Sequence, residues 1–388
     1  MTERSYLDWN ATAPLRPEAR AAMAAALDCS GNPSSIHAEG RAARRLVEDA
    51  RAAVARLTAA EPRNVTFTSS GSEANMLALT PNLGGGKPPR SRLLISAIEH
   101  ASVRAGGRFA PEAVETVPVT AQGVIDRWAL KARLADLAAR GEPVLLSIMA
   151  ANNETGVVQP ISEVAAMAHE VGGLLHVDAV QLAGRLRCDI GELGADLLTV
   201  SAHKLGGPKG AGALIRREEA LRPEPLIRGG GQERGLRAGT ENVAAIAGFG
   251  AAAEAAAASL PTEATRLRAL RDRLEAGLKE ATPQALIFGH EVERLPNTTL
   301  LAVPGMKAET AVIALDLEGF AVSSGAACSS GKVQSSHVLT AMGVPADLAR
   351  GGIRISLGWS STERDIERFI AAWISVTSAL LKGRGMAA

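Results

Sequence analysis

Short apolar runs rich in Val, Leu and Ile recur through the first part of the chain: VTFTS (65–69), RLLISA (92–97), PVLLSIMA (143–150), GLLHVDAV (173–180) and DLLTVSA (196–202). Between them lie longer, Ala-rich stretches with helical spacing, at 38–60, 72–80, 126–140 and 161–171. This alternation leaves few architectures open. Parallel strands need crossover connections, and a sheet buried on both faces reads as continuous apolar runs. The pattern predicts an α/β fold around a mostly parallel sheet covered by helices. In such sheets reactive groups collect at the carboxyl ends of strands.

From about residue 241 the alternation lapses. Residues 241–258 and 263–281 read as two helices, with the intervening SLPT as a hinge into a second unit. That unit has strands near ALIFG (285–289), NTTLLAV (297–303) and IRISLG (353–358), and helices near 308–316, 336–342 and 362–381. Strand and helix without strict alternation suggest an α+β domain. The expected division is a large domain over 16–255 and a small domain built from 1–15 and 256–388, which carries a Gly/Ser-rich loop at 323–335. With 388 residues, 46% of them hydrophobic, the chain can fill two cores. GGGKPP (84–89) and RGGGQERG (228–235) read as loops, and GRAARRLVEDAR (40–51) as the solvated face of a long helix.

The 42 basic and 41 acidic residues are interspersed and leave a net charge of +1. No field favours nucleic acid or an anionic membrane, so small molecules or proteins are the expected partners. No uninterrupted apolar run reaches the ~18 residues of a membrane span, and the start MTERSYLDWN lacks a signal-like apolar region. The expected location is cytoplasmic. Cys29, Cys188 and Cys328 are odd in number and lack CxxC spacing, which argues against disulfides and a cysteine-ligated zinc. His169 and His290 have no ligand partner at short spacing, and no metal site is expected. Cys328 stands apart. It lies in SSGAACSSGKVQSSHVL (323–339), where Gly, Ala and Ser predict an exposed loop rather than the apolar setting of a structural thiol.

Four strand ends carry chemistry. LLTVSAHKLGGPKGAG (197–212) places Ser201, His203 and Lys204 at the edge of a strand, and HVDAVQ places Asp178 and Gln181 at another. TFTSSGSEAN (66–75) runs from strand through a Gly/Ser turn into a helix, whose N-terminal amides and hydroxyls suit a phosphate. SAIEHASV (96–103) sets Glu99 and His100 after a fourth strand. Each signal is weak alone, since loop lysines, capping aspartates, Ser/Gly turns and structural histidines are common. Together, a phosphate cradle, an imine-forming lysine, a carboxylate at sheet depth and a flat histidine are what pyridoxal 5′-phosphate requires.

On these segments, and on YLDWNATAP (6–14), SIMAANNETGVVQPI (147–161), GGGQERGLRAGTENV (229–243), SSGAACSSG (323–331) and SHVLTAMG (336–343), the chain resembles the cysteine desulfurases of the NifS/IscS type, in the class V family of fold-type I pyridoxal phosphate enzymes. The likeness runs nearly end to end. It implies that Lys204 holds the cofactor aldehyde and then moves the Cα proton. Asp178 would pair with the ring nitrogen and Gln181 with the ring hydroxyl, and His100 would stack on the ring and handle protons as a catalytic residue. Gly71, Ser72, Ser201 and His203 would hold the phosphate, joined by Thr240 from the second subunit of a homodimer. Asn153 and Arg354 would fix the carboxylate of L-cysteine.

The resemblance further implies that the thiolate of Cys328 attacks the substrate sulfur, leaving alanine and a persulfide. The persulfide would pass to an acceptor protein, such as an iron–sulfur scaffold or a thiolation partner. Two departures stand out. KVQSSHVL (332–339) replaces the SLEPSHVL usual in relatives, and Trp359 stands where an Arg is common, next to Arg354 and in a position to alter the pocket rim. Cys29 and Cys188 read as bystanders, and His37 and His337 as packing or loop hydrogen-bonding residues. An aminotransferase, a selenocysteine lyase or a non-catalytic subunit that retains the cofactor remain as alternatives, with Cys328 the discriminating residue.

Overall fold

The computed structural model describes residues 4–84, 88–325 and 335–382. Cys328 and most of the expected 323–335 loop lie outside the described residues. The chain opens with a two-residue strand, β1 (Ser5–Tyr6). A seven-stranded sheet then assembles from β2 (Val65–Thr68), β3 (Arg92–Ser96), β4 (Val114–Val117), β5 (Val144–Met149), β6 (Leu174–Asp178), β7 (Leu197–Ser201) and β8 (Gly212–Arg216), in the spatial order β2-β8-β7-β6-β5-β3-β4. The neighbours from β7 through β4 are parallel, whereas β8 runs antiparallel to both β7 and β2.

All five apolar runs form strands, and β5, β6 and β7 are buried at every position. Two strands escape the sequence pattern. β4 is a half-exposed edge strand containing Glu115, and β8 hides at the end of a glycine-rich stretch. Gly212, the first residue of β8, is required by close approach: a Cβ there would sit 2.4 Å from the Ser70 carbonyl carbon.

The largest departure is at SLPT. Residues Val243–Ala281 form one continuous helix with Pro261 inside it, not two helices and a hinge. Proline in a helix interior costs about 3 kcal/mol. Here both halves are held by packing. The N-terminal half lies on helices Pro17–Leu27 and Ala38–Leu57, and the C-terminal half on Glu363–Lys382. Gly250 lets two helices close up, since a Cβ there would lie 2.5 Å from Ala50 Cα. By length and composition this helix is apolar enough to cross a membrane, but half of its apolar window is buried against those neighbours.

A four-stranded antiparallel sheet follows, from β9 (Leu286–Ile287), β10 (Thr298–Ala302), β12 (Ser323–Ser324) and β13 (Ile353–Ser356), in the order β12-β13-β10-β9. β1 pairs with the short strand β11 (Phe320–Ala321). A separate core including Leu274, Phe320, Ile355, Phe369 and Trp373 lies beneath this part.

The 40–51 stretch is not wholly solvated. Arg51 is buried and forms a two-pronged ion pair with Glu233, at 2.7 and 2.8 Å. Glu233 and Arg234 both hold positive φ, 48° and 57°. The segment that sequence reads as a plain loop is thus anchored by a buried charge pair, which accounts for a backbone conformation that non-glycine residues seldom adopt.

Candidate active site

A cavity of about 490 Å³ opens at the carboxyl ends of the parallel strands, walled on one side by β13. Lys204 enters it from the turn after β7. Its Nζ donates to the carbonyls of Asn10 and Ala11 at 2.6 and 2.8 Å. Burial, helped by Arg354 and Arg185, pulls this amine down to about 7, against 10.5 for a free lysine. A sizeable share of the amine is therefore unprotonated and nucleophilic near neutral pH.

Asp178 ends β6 inside the same cavity. Its carboxylate accepts from Asn75 Nδ2 at 2.8 Å and from the Val180 amide at 3.0 Å. Gln181 follows, with Nε2 donating to the Asn10 carbonyl at 3.1 Å and Oε1 accepting from Arg185 at 2.6 Å. The turn after β2 leads into helix Gly71–Ala78, capped by Ser70, whose hydroxyl accepts from the Glu73 amide. Gly71, Ser72, Ser201 and His203 face the cavity around this helix start. A Cβ at Gly71 would come within 3.1 Å of Val180 Cγ2 and 3.3 Å of Ser201 Cβ, so the bare backbone keeps the cradle open. Burial and neighbouring Lys204 push His203 down to about 4, which leaves it neutral.

His100 lines the cavity after β3, its Nδ1 2.8 Å from Ser102 Oγ. Arg354, on β13, is buried. Its Nη1 donates to the Asn153 carbonyl at 3.0 Å and its Nη2 to Asp8 at 2.7 Å, while its Nε has no partner among the described residues. The structure thus brings together Lys204, Asp178, Gln181, His100, Gly71, Ser72, Ser201, His203, Asn153 and Arg354 around one cavity. Thr240 is exposed and does not line it. Cys328 lies outside the described residues.

Sequence reasoning passed over several residues that shape the site. Asn10 bridges Lys204, Gln181 and Asn153 from the N-terminal YLDWNATAP. Asn75 orients Asp178, and its position inside FTSSGSEAN was the only signal for it. Glu154 lines the cavity as a buried carboxyl raised to about 7 by burial. Glu99, which the sequence does set beside His100 after β3, is buried, and burial lifts its carboxyl well above the usual carboxylate range. His337 makes the kind of loop hydrogen bond expected of it, with Nε2 3.0 Å from the Glu99 carbonyl, and it also reaches the cavity. Trp359 departs from expectation in the other direction. It does not line the cavity, but packs edge-on against Trp9 at 5.5 Å and under Arg16. Cys188 is buried and pushed up to about 12, which makes it inert.

These residues fit pyridoxal 5′-phosphate. The helix start supplies an anion cradle kept open by Gly71, Asp178 offers an oriented carboxylate, Lys204 a reactive amine, and Arg354 an unpaired donor for a second anion. An open, mostly parallel sheet with such a cavity at its strand ends has the architecture of fold-type I transferases.

Comparison with known proteins agrees. Residues 5–369 match the aminotransferase class-V family model. A cysteine desulfurase of Cereibacter sphaeroides is 44% identical over 95% of this chain and 94% of its own. Cysteine desulfurase IscS of Dictyoglomus turgidum is 40% identical over 94% and 92%. Among solved structures, the NifS-like protein from Rickettsia africae superposes with a TM-score of 0.87 at 38% identity, covering 97% of this chain and all of that one. The chain belongs to the class V aminotransferase family, and within it to the cysteine desulfurases of the NifS/IscS type.

Proposed function

We propose that this protein is a pyridoxal phosphate-dependent desulfurase of L-cysteine that yields L-alanine and a persulfide on Cys328. The observation that carries the reading is the placement of Lys204, with its amine near 7, in one cavity with Asp178 and the unpaired donor of Arg354. Bound there, the cofactor supplies an electron sink for charge developing at the substrate Cα. Lys204 would hold its aldehyde carbon, Asp178 its ring nitrogen, Gln181 its ring hydroxyl and His100 its ring face. Gly71, Ser72, Ser201 and His203 would hold its phosphate.

Arg354 and Asn153 hold the substrate carboxylate, Arg354 through its charge and its Nε donor, which has no partner among the described residues. Lys204 removes the Cα proton. The Cys328 thiolate then forms an S–S bond to the substrate sulfur while the Cβ–S electron pair stays on carbon; protonation of Cβ and return of a proton from Lys204 to Cα complete alanine.

The reading extends to a cytoplasmic homodimer in which Thr240 of the partner subunit completes the phosphate site. Its support is the exposure of Thr240, away from its own cavity, on a segment anchored by Arg51 and Glu233. Delivery of the persulfide to an acceptor protein, for iron–sulfur clusters or thiolation, belongs to the same reading.

The test is incubation of the cofactor-loaded protein with L-cysteine, followed by mass spectrometry. Alanine and an adduct of about 32 Da, one sulfur atom, are expected on the Cys328 peptide. Full alanine production by Cys328→Ala, or none by the parent, overturns the proposal.

A further inference from the structure

Glu154 is a buried carboxyl that the chemistry above does not use. It follows Asn153, whose carbonyl accepts from Arg354, and it lines the cavity at 3% exposure. Its Oε2 accepts from Ser336 Oγ at 2.5 Å, and a Cβ at Gly325 would lie 3.1 Å from the same oxygen. Ser336 caps helix His337–Ala341, its hydroxyl accepting from the Leu339 amide. Glu154 forms no ion pair among the described residues. The carboxylate paired with Arg354 is Asp8, at 2.7 Å, and Arg354 Nε has no partner among the described residues.

We propose that Glu154 takes up a proton when the substrate carboxylate binds Arg354, and releases it when product leaves. The inference rests on the proposed role of Arg354. Before binding, Arg354 is the cation whose field favours the ionised form of Glu154, against the cost of burial. An arriving carboxylate offsets that cation and adds a negative charge, so burial prevails. The balance is poised for this, because Glu154 in the free protein stands near 7. Ser336 donates to the Glu154 carboxylate and so favours its ionised form, which works with Arg354 against burial.

The other charged and titratable groups around the cavity are distributed over the elements that wall it. His100 and Arg104 lie after β3, Asp178 at the end of β6, and His203 and Lys204 after β7. His337 lies on the helix capped by Ser336, and Asp8 stands behind Arg354. Among the described residues, the charge that bears on Glu154 is that of Arg354.

The experiment uses the cofactor-loaded protein and butyrate, which has the carboxylate and length of the substrate without amine or thiol. Calorimetric titration in two buffers of different ionisation enthalpy gives the number of protons exchanged. The expected result is uptake of up to one proton between about pH 7 and 8, with affinity falling by up to about tenfold as pH rises through that window. Glu154→Gln should exchange no proton there and bind butyrate with a flat pH profile. Ser336→Ala, which removes a donor favouring the anion, should move the window to higher pH.

Uptake that persists in Glu154→Gln, a window unmoved in Ser336→Ala, no uptake by the parent, or no butyrate binding would each overturn the inference. Alanine formation from L-cysteine is measured alongside. If the parent makes alanine without proton uptake, only the role of Glu154 fails, whereas absence of alanine removes the functional reading itself.

Discussion

Arg185 Nη1 donates to Gln181 Oε1 at 2.6 Å and to the Gln181 main-chain carbonyl at 2.8 Å. An amide has one acceptor end and one donor end. Arg185 occupies the acceptor, so Gln181 presents its NH2 toward Asn10 and the cavity. Arg185 is buried, and burial together with Arg354 lowers it to about 10, which leaves it a cation at neutral pH.

The consequence is a positioning role. Arg185→Met should free the amide to rotate and leave a buried acceptor unpaired, at about 1–1.5 kcal/mol. Pyridoxal phosphate should then bind about tenfold more weakly, with a shifted visible absorption maximum, in titrations of the cofactor-free protein. An unchanged affinity and spectrum would mean that Arg185 does not set the Gln181 orientation.

That pair also marks what sequence could and could not provide. Gln181 was legible because HVDAVQ ends an apolar strand, and the strand-end rule gathered Lys204, Asp178, His100 and Gly71 in the same way. Arg185 was not legible, since its role depends on a turn of the chain that points it back at Gln181. Asn10 and Arg354 reach the cavity from chain segments far from the sheet, and only tertiary packing brings them there. The continuous helix through Pro261 failed for a related reason. Local propensity argues for a break, whereas contacts on both halves of Val243–Ala281 hold it straight through. β8 was missed because glycines that read as loop signals serve close approach to Ser70.

Lys204 should make the cofactor-free protein pH-sensitive. Its folded value of about 7 lies below the 10.5 of the unfolded chain. Between those values the unfolded chain binds the extra proton, so stability rises with pH across that window, and below it the penalty is full. Lys204→Met should therefore stabilise the cofactor-free protein at pH 7, by on the order of a few kcal/mol. The gain should shrink toward pH 10.5, and turnover of L-cysteine should vanish. Urea unfolding at pH 7 and pH 10 measures this, and an equal gain at both would show that Lys204 is not strained by burial.

Gly212 should tie sheet to cradle. A Cβ there meets the Ser70 carbonyl carbon at 2.4 Å and the Gly71 nitrogen at 2.8 Å, both backbone atoms. Gly212→Ala must then push the turn before helix Gly71–Ala78 aside. Overpacking of this kind costs about 1–3 kcal/mol. We expect a lower Tm together with weaker binding of pyridoxal phosphate. A variant that loses stability but binds the cofactor as before would separate β8 from the phosphate site.

Complementation between subunits tests the assignment of Thr240. The residue is exposed on its own chain, while the preceding segment is fixed by Glu233 to Arg51 and by Arg237 Nε to Glu73 at 3.0 Å. If Thr240 serves the partner's phosphate site, Thr240→Val should weaken cofactor binding by about 1–2 kcal/mol, the worth of one hydrogen bond to a charged group. Lys204→Ala should be inactive at both sites of its own dimer. In a mixed dimer of the two variants, one site combines an intact Lys204 with an intact Thr240 from the other chain, and the second site carries both defects. Mixed dimers purified by two affinity tags should therefore regain the parent's cofactor affinity at one site and about half of its desulfurase activity at limiting cofactor. If Thr240 acts within its own chain, every site in the mixed dimer is impaired. The activity at limiting cofactor would then not exceed that of Thr240→Val alone, averaged with an inactive partner.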